Sequence, residues 1–114
     1  MKRFPSIRKN RDFQTVYRTG KSCANRQLVM YVRKTGQGGS RIGISVSKKV
    51  GNSVVRHHLA RLVRESFRLN RNTLEEGLDI IVVARAAAKD SDYKTIERAF
   101  MHLCGLHNIK KESK

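Results

Sequence analysis

The sequence predicts an α+β fold in which helices pack on one sheet, and three observations support this. Residues 41–47 alternate between apolar and small polar side chains, as a half-buried strand does. Residues 78–84 are nearly all apolar, which is typical of a strand buried on both faces. A long amphipathic helix is predicted between them, from about residue 53 to residue 69, so the two strands are expected to be parallel. A chain of 114 residues holds one domain of this kind.

The chain begins with a basic leader that precedes a short helix. Residues 1–8 are expected to be a flexible leader, since Pro5 disfavours a helix there. Asn10 is the predicted N-cap of the first helix, and Gly20 is its predicted end.

The first helix has an aromatic edge, because Phe13 and Tyr17 fall on one face together with Val16. These rings could pack on the sheet, or they could present flat surfaces on which the bases of a single strand stack. Neighbouring cations support the stacking interpretation, and they are Arg8, Arg11 and Arg18. The local pattern alone favours packing.

The next residues are predicted to form the strands of the sheet. Residues 22–34 are expected to be extended, with apolar side chains on both sides, so both faces of the sheet are expected to be covered. Within residues 41–47, Gly43 is assigned to the outward side. Its missing side chain would let an RNA backbone approach the sheet there.

A last helix is predicted after the second of the parallel strands. Residues 90–92, with the sequence Asp-Ser-Asp, are expected to cap it. Its packing stripe consists of Tyr93, Ile96, Phe100 and Leu103. Residues 109–114 are expected to form a flexible tail.

The charge distribution indicates an anionic partner. The formal net charge is +16, and residues 1–74 hold 18 basic and 2 acidic side chains. Residues 75–114 hold 7 of each sign, so the basic surface belongs to the first two-thirds of the chain. A compact domain with this charge repels itself unless polyanions such as nucleic acids bind to it.

The long central helix has one cationic face and one apolar face. His57, Arg61, Arg64 and Arg68 are spaced to form a single stripe, opposite a packing face that includes Leu59. Lys48 and Lys49 lie in the turn before this helix, beside its free N-terminal backbone N–H groups. Arginine forks and a helix N-terminus both bind phosphate, so this segment is predicted to contact RNA.

The residues do not suggest a catalytic or metal site in the protein. His57 and His58 are adjacent and diverge on a helix, while Cys104 and His107 offer only two ligands near the chain end. The glycines of residues 36–41 lack the nucleotide-binding pattern. Both cysteines are expected to be reduced, and no apolar run is long enough for a signal peptide or a membrane span. A soluble, cytoplasmic protein without a membrane partner or a small-molecule substrate is expected.

Residues 47–67, SKKVGNSVVRHHLARLVRESF, resemble the signature of the bacterial ribonuclease P protein subunit. Further matches follow the family order along the chain, and they are KNRDFQTVY at 9–17, ANRQLVMY at 24–31, RIGISVSKK at 41–49 and DIIVVAR at 79–85. The resemblance therefore covers essentially the whole sequence.

The resemblance implies both a fold and a task. The family fold is a single-domain α-β-β-β-α-β-α two-layer sandwich with a left-handed βαβ crossover, against the usual right-handed rule. Its members join a ribonuclease P RNA that cleaves the 5′ leader from precursor tRNA. The RNA is the catalyst, and Mg²⁺ is bound mainly by the RNA and the substrate.

The resemblance also implies roles for individual residues. Phe13, Tyr17 and Tyr31 would line a cleft for the single-stranded leader, with Arg8 and Arg11 beside it. The central helix and the turn before it would meet the catalytic RNA through the residues that match the family, namely Lys48, Lys49, Arg56, Arg61 and Arg64. The predicted RNA-binding set also includes His57, His58 and Arg68, which lie on the same helix. No protein residue would be catalytic or bind a metal.

The chain departs from the family pattern in the central helix. His57, His58 and Ala60 stand where the pattern has asparagine, arginine and lysine. Imidazoles gain charge on acidification, so we hypothesise that RNA affinity rises more at low pH than in relatives with the full motif.

Three alternatives remain open at the level of sequence. The chain could be another small RNA- or DNA-binding protein, such as a ribosome-associated factor. A protein-only nuclease would depend on acids such as Asp12 and Glu65. A membrane-active cationic helix is the weakest alternative, because the apolar face of residues 55–67 is needed for the core.

Overall fold

A computed structural model describes residues 6–36 and 38–111. The order of elements is α-β-β-β-α-β-α, as predicted. The helices are α1 (Asn10–Thr19), α2 (Ser53–Asn70) and α3 (Tyr93–Leu106). The strands are β1 (Lys21–Ala24), β2 (Leu28–Lys34), β3 (Arg41–Val46) and β4 (Leu78–Ala84), and short 3₁₀ turns span Arg71–Thr73 and Ala86–Ala88.

The four strands form one sheet in the order β1-β2-β4-β3. The apolar strand β4 lies inside the sheet, antiparallel to β2 and parallel to β3. The parallel β3–α2–β4 unit is therefore confirmed, while the left-handed sense of its crossover stays a prediction. Because β4 lies between β2 and β3 in the sheet, the loop that joins β2 to β3 connects two strands that are not neighbours.

The helices cover both faces of the sheet. Even-numbered residues of β2 and β4 pack against α2 and α3 in the main core. Odd-numbered residues, including Tyr31 and Ile81, meet α1 in a second, smaller cluster. Side chains alternate along a strand, so these clusters lie on opposite faces. The predicted two-layer sandwich thus gains a third layer at α1, because the odd-numbered side chains of β4 are also apolar.

The first helix begins one residue earlier than predicted. Lys9 is the N-cap with extended dihedral angles, and it makes no side-chain cap; Asn10 is already helical. Gly20 ends the helix, with its N–H bonded to Val16 O. A Cβ at Gly20 would lie 2.7 Å from Val16 O and 2.9 Å from Val32 O. The φ angle of Gly20 is −83°, so its backbone conformation does not require a glycine. The close approach of these two backbone oxygens does require one.

The central helix begins at the predicted position, and the last helix is capped by one of the predicted residues, Asp92. Asn52 accepts a hydrogen bond from Val55 N on α2, and Asp92 accepts one from Thr95 N on α3. Phe67 is 1% exposed and meets Phe100 edge-on, so it lies inside the core. The buried face of α2 comprises Leu59, Leu62, Val63, Ser66 and Phe67.

The described parts of both chain ends are packed on the fold. Ile7 is 4% exposed and donates its N–H to Ile42 O at 2.8 Å. Ile109 is fully buried, and Lys111 N bonds to Thr73 O. This packing of apolar side chains corrects the expectation of flexible ends for these residues, while 1–5 and 112–114 lie outside the described residues.

Candidate nucleic-acid interface

The three aromatic residues predicted to line a cleft lie together on the α1 face of the sheet. The rings of Tyr17 and Tyr31 meet edge-on with centroids 4.8 Å apart, and Phe13 lies 6.1 Å from Tyr17. All three rings are half-buried, resting on a small cluster that contains Val16 and Ile81. We call this the aromatic cleft. Packing and base stacking are thus compatible, because each ring is anchored and still partly exposed.

Strand β3 forms part of the floor beneath these rings. A Cβ at Gly43 would lie 2.9 Å from Phe13 Cζ and 3.1 Å from Ile7 Cβ. Gly43 is buried by these side chains, so the expectation that it admits an RNA backbone is wrong. The missing side chain instead lets the Phe13 ring lie close to the sheet.

Ser45 is a cleft residue that was not singled out from the sequence. Its side chain hydrogen-bonds with Tyr17, and this contact lowers the pKa of the phenol. Burial has the larger effect, so the Tyr17 pKa is raised overall. Ser45 could have been predicted as a cleft residue from its spacing, because it lies two residues after Gly43 and therefore on the same face of β3.

Arg8 and Arg11 are exposed at the start of α1, outside the ring cluster. Arg41 lies nearby, because its Nη1 is 3.4 Å from Asp12 Oδ2 on the first turn of α1. Asp12 therefore forms an ion pair with the guanidinium group of Arg41. This contact fits a scaffold role for Asp12.

The predicted cationic stripe is present on the outer face of α2. His57, Arg61 and Arg64 are exposed, and His58 is exposed beside them. Arg68 is also exposed, but its Nε and Nη2 donate to both oxygens of Glu65, at 2.9 and 2.7 Å. Arg64 makes no ion pair with any residue that the structure describes. Arg68 is therefore partly neutralised, and Arg64 is the freer phosphate ligand.

Arg56 is on the same helix but is half-buried. Its Nε is shielded from solvent and has no hydrogen-bond partner among the described residues. A buried donor without a partner costs about 1–3 kcal/mol, so an acceptor supplied by a bound RNA would relieve this cost.

Lys48 and Lys49 are exposed in the turn between β3 and α2. Val50 is buried, and its N–H bonds to Ser47 O, which fixes this turn. The lysines therefore lie next to the N-terminus of α2, as predicted. They connect the two surfaces, because β3 lies under the aromatic cleft and leads directly into the cationic helix.

Comparison with known proteins decides the family. A model of the family described as ribonuclease P matches residues 1–107. The chain belongs to the ribonuclease P protein family. It is thus a subunit of an endoribonuclease holoenzyme that matures the 5′ ends of tRNA.

The similarity to individual ribonuclease P protein components extends over nearly the full chain. The component of Lachnoclostridium phytofermentans is 54% identical, covering 95% of this chain and 93% of the relative. That of Alkaliphilus oremlandii is 46% identical, covering 96% of each chain. The predicted resemblance is therefore confirmed.

Solved ribonuclease P proteins share the fold. The Staphylococcus aureus protein superposes with a TM-score of 0.87 at 38% identity, covering 96% of this chain and all of the other. The Thermotoga maritima protein gives a TM-score of 0.80 at 35% identity, covering 87% and 94%. The α+β architecture is thus that of ribonuclease P proteins.

The described part of this ribonuclease P protein contains no cluster of three or more His, Cys, Asp or Glu side chains that could hold a metal. His107 is engaged through Nε2 with Met30 O at 2.9 Å. Burial raises the pKa of the Cys104 thiol to about 12. Cys104 and Cys23 are both free thiols. No helix in the described residues is long and apolar enough to cross a membrane.

Proposed function

We propose that this ribonuclease P protein binds a catalytic RNA through α2 and holds the single-stranded 5′ leader of precursor tRNA in the aromatic cleft. The observation that carries the proposal is the set of three half-buried rings on one face of the sheet. Arg8 and Arg11 are exposed at the start of the helix that carries two of these rings. Aromatic faces stack on any base, and nearby cations track the phosphates. A leader of variable sequence requires recognition of this sequence-tolerant kind.

The second surface is the cationic stripe of α2. Its arginines project from a helix whose opposite face fills the core, so their backbone positions are fixed before RNA binds. The planar guanidinium fork of arginine loses less side-chain entropy per hydrogen bond to phosphate than the ammonium group of lysine does. About six such contacts would give a slope of about −4 for log affinity against log salt.

The protein contributes binding, and the RNA contributes the chemistry. The described carboxylates nearest the cleft, Asp12 and Asp79, are both paired with Arg41, so they do not fit a Mg²⁺ site. We therefore propose that Mg²⁺ is held mainly by the RNA and the substrate. Precursor tRNA is processed in the bacterial cytoplasm, which is the proposed location.

The decisive experiment is cleavage of precursor tRNA by a bacterial ribonuclease P RNA at limiting Mg²⁺, with and without this protein. Substrates with a full leader and with a truncated leader are compared. We expect stimulation that is greater for the full leader. Tight RNA binding without stimulation would instead indicate a generic RNA-binding domain. Cleavage by the protein without RNA would indicate a protein-only nuclease.

A further inference from the structure

The shape of the aromatic cleft depends on how α1 is held against the sheet, because α1 carries two of the three rings. Among the ten residues of α1, all of which the structure describes, Val16 alone is fully buried. The helices α2 and α3 each have five buried residues. Most of the stability of a helix in a protein comes from packing of its apolar face, so α1 is the least firmly anchored of these helices.

Arg41 provides a polar anchor for α1 on strand β3, and its guanidinium group is itself held rigidly. Its Nε and Nη2 donate to the two oxygens of the buried Asp79, at 2.9 and 2.8 Å. A planar fork that is bound in this bidentate way has a fixed orientation. The remaining nitrogen, Nη1, lies 3.4 Å from Asp12 Oδ2 on the first turn of α1. Arg41 thus links the sheet to the N-terminal end of α1.

The Asp12–Arg41 ion pair lies next to the contact that seats the Phe13 ring. Arg41 and Gly43 are two residues apart on β3 and therefore share the face that α1 covers. Asp12 and Phe13 are consecutive in α1, and a Cβ at Gly43 would lie 2.9 Å from Phe13 Cζ. Because these two contacts are adjacent, a shift of Asp12 away from Arg41 also moves the Phe13 ring.

The negative charge of Asp12 is unfavourable for RNA binding. Residues 1–74 contain only two acidic side chains, Asp12 and Glu65. A carboxylate near a cleft for a polyanion repels the phosphates that the surrounding cations attract. The ion pair is partly exposed, with 29% of the Asp12 side chain and 37% of the Arg41 side chain accessible, so solvent only partly screens this repulsion. A role in holding α1 explains an acid at this position.

We propose that Asp12 is a positioning residue for leader binding, which holds α1 so that Phe13 and Tyr17 face the leader in a cleft of fixed shape. This inference rests on the proposed function, since it concerns how the same aromatic cleft is kept in place. Asp12 acts through Arg41 and the helix, and it does not itself contact the RNA.

The test compares Asp12→Asn with the unmodified protein in a holoenzyme reconstituted with a bacterial ribonuclease P RNA. Affinity is measured for precursor tRNAs with a full leader and with a truncated leader. Loss of a partly exposed ion pair is expected to weaken full-leader binding about threefold. Binding of the truncated leader and of the catalytic RNA should stay unchanged. Asp12→Glu keeps the carboxylate and should restore part of the loss.

The effect of charge alone has the opposite sign, so the direction of the change is informative. Removal of a carboxylate near the cleft should by itself strengthen the binding of a polyanion. Glu76→Gln is the matched control, because it removes the same charge from an exposed residue near Phe67, on the α2 side of the sheet. This variant should not weaken the binding of either substrate.

The free protein offers a second readout that does not depend on RNA. Gly43 lies against the Phe13 ring, so the NMR chemical shifts of its α-protons depend on the position of that ring. Asp12→Asn should move these resonances towards those of Phe13→Leu, which lacks the ring. Glu76→Gln should leave them in place.

Arg41→Lys tests whether Asp12 acts through Arg41. A lysine ammonium group keeps a cation beside Asp79 but lacks the planar fork that also reaches Asp12. Asp12→Asn should therefore have no further effect on leader binding when it is combined with Arg41→Lys. Thermal unfolding shows that each variant is folded before its affinity is measured.

Three results would overturn the inference. Equal or tighter binding of the full leader by Asp12→Asn would show that Asp12 is only a nearby charge. The same loss for both leaders, or a further loss in the Arg41→Lys background, would show that Asp12 does not act by holding α1 through Arg41. Unchanged Gly43 resonances in Asp12→Asn would show that the Phe13 ring does not depend on the ion pair. If the unmodified protein shows no leader dependence at all, the proposed function fails, and the Gly43 resonances still decide whether Asp12 positions α1.

Discussion

Arg41 holds the buried carboxylate of Asp79 with two parallel hydrogen bonds, Nε to Oδ1 at 2.9 Å and Nη2 to Oδ2 at 2.8 Å. The two residues are register partners on β3 and β4, and Arg33 on β2 approaches the same carboxylate at 3.6 Å. Arg41 also reaches Asp12 on α1. These contacts raise the pKa of Arg41 above its ordinary range. One carboxylate thus ties three strands together, beside the helix that carries the cleft.

Asp79→Asn should lower the free energy of unfolding by about 2 kcal/mol. The aspartate is 2% exposed, and its replacement leaves Arg41 without its main partner; the cost is below the 3–5 kcal/mol of a fully buried pair because Arg41 is partly solvated. Urea unfolding measures the change. Asp90→Asn, at an exposed site, is the control and should be neutral. Equal stability of the two variants would contradict the conclusion that the Asp79 carboxylate holds the three strands together.

Gly43→Ala should damage the aromatic cleft selectively. The added methyl would lie 2.9 Å from Phe13 Cζ, so the ring must move away from the sheet, at a cost of about 1–3 kcal/mol in stability. We expect reduced stimulation of full-leader substrates and unchanged binding to the catalytic RNA. Gly38→Ala is the matched control, because its Cβ would meet nothing within 4 Å. If stimulation by the Gly43→Ala variant still depends on the leader as in the unmodified protein, Phe13 does not contribute to leader binding.

Arg64→Ala should weaken binding to the catalytic RNA more than Arg68→Ala does. Arg68 already binds both oxygens of Glu65, whereas Arg64 has no ion-pair partner among the described residues. Affinity measured over a range of salt concentrations should show a slope reduced by about 1 for Arg64→Ala and less for Arg68→Ala. Identical slopes would show that RNA displaces Glu65 from Arg68 without cost.

RNA affinity should rise on acidification from pH 8 to pH 6 because of His57 and His58. Both imidazoles are exposed on the cationic face of α2, and protonation adds positive charge opposite the phosphates. The measurement is RNA binding at fixed salt and Mg²⁺. The variant His57→Gln/His58→Gln should lose the extra affinity at pH 6. Equal binding of the unmodified protein from pH 6 to pH 8 would rule out this hypothesis.

The two cysteines should differ in reactivity. Cys104 is fully buried with its pKa raised to about 12, while Cys23 is half-buried. A thiol reagent at pH 8 should titrate one cysteine in the native protein and two in denaturant. Cys23→Ala should react only after unfolding. Rapid labelling of Cys104 in the native Cys23→Ala variant would show that helix α3 opens.

The Cys104 thiol should also make stability fall at alkaline pH. Its folded pKa is raised from 9.0 to about 12, so the neutral thiol is favoured by folding. This contribution is fully present below pH 9 and is lost as the pH rises towards 12. Unfolding free energies from pH 8 to pH 11 should therefore decline less steeply for Cys104→Ala. Parallel curves would assign the decline to other groups, such as Tyr93, whose pKa is also raised to about 12.

Patterns of neighbouring residues determined most of the fold. The apolar run of β4, the capping side chain of Asp92 and the two-faced pattern of α2 are local features, and each predicted its element correctly. The same is true of the exposed cations of α2, since helical spacing alone directs them away from the core. Short-range geometry is sufficient for such features.

Tertiary structure decided what depends on residues distant in sequence. Gly43 was assigned to an open surface, but α1 folds over it, and 30 residues of chain separate Gly43 from Phe13. Likewise, Ile7 and Ile109 looked like parts of loose ends, yet each fills a space that only the assembled sheet and helices create. The order β1-β2-β4-β3, which places the last strand of the chain between β2 and β3, is a further case. Strand order is set by packing over the whole sheet, and the periodicity of one segment contains no information about it.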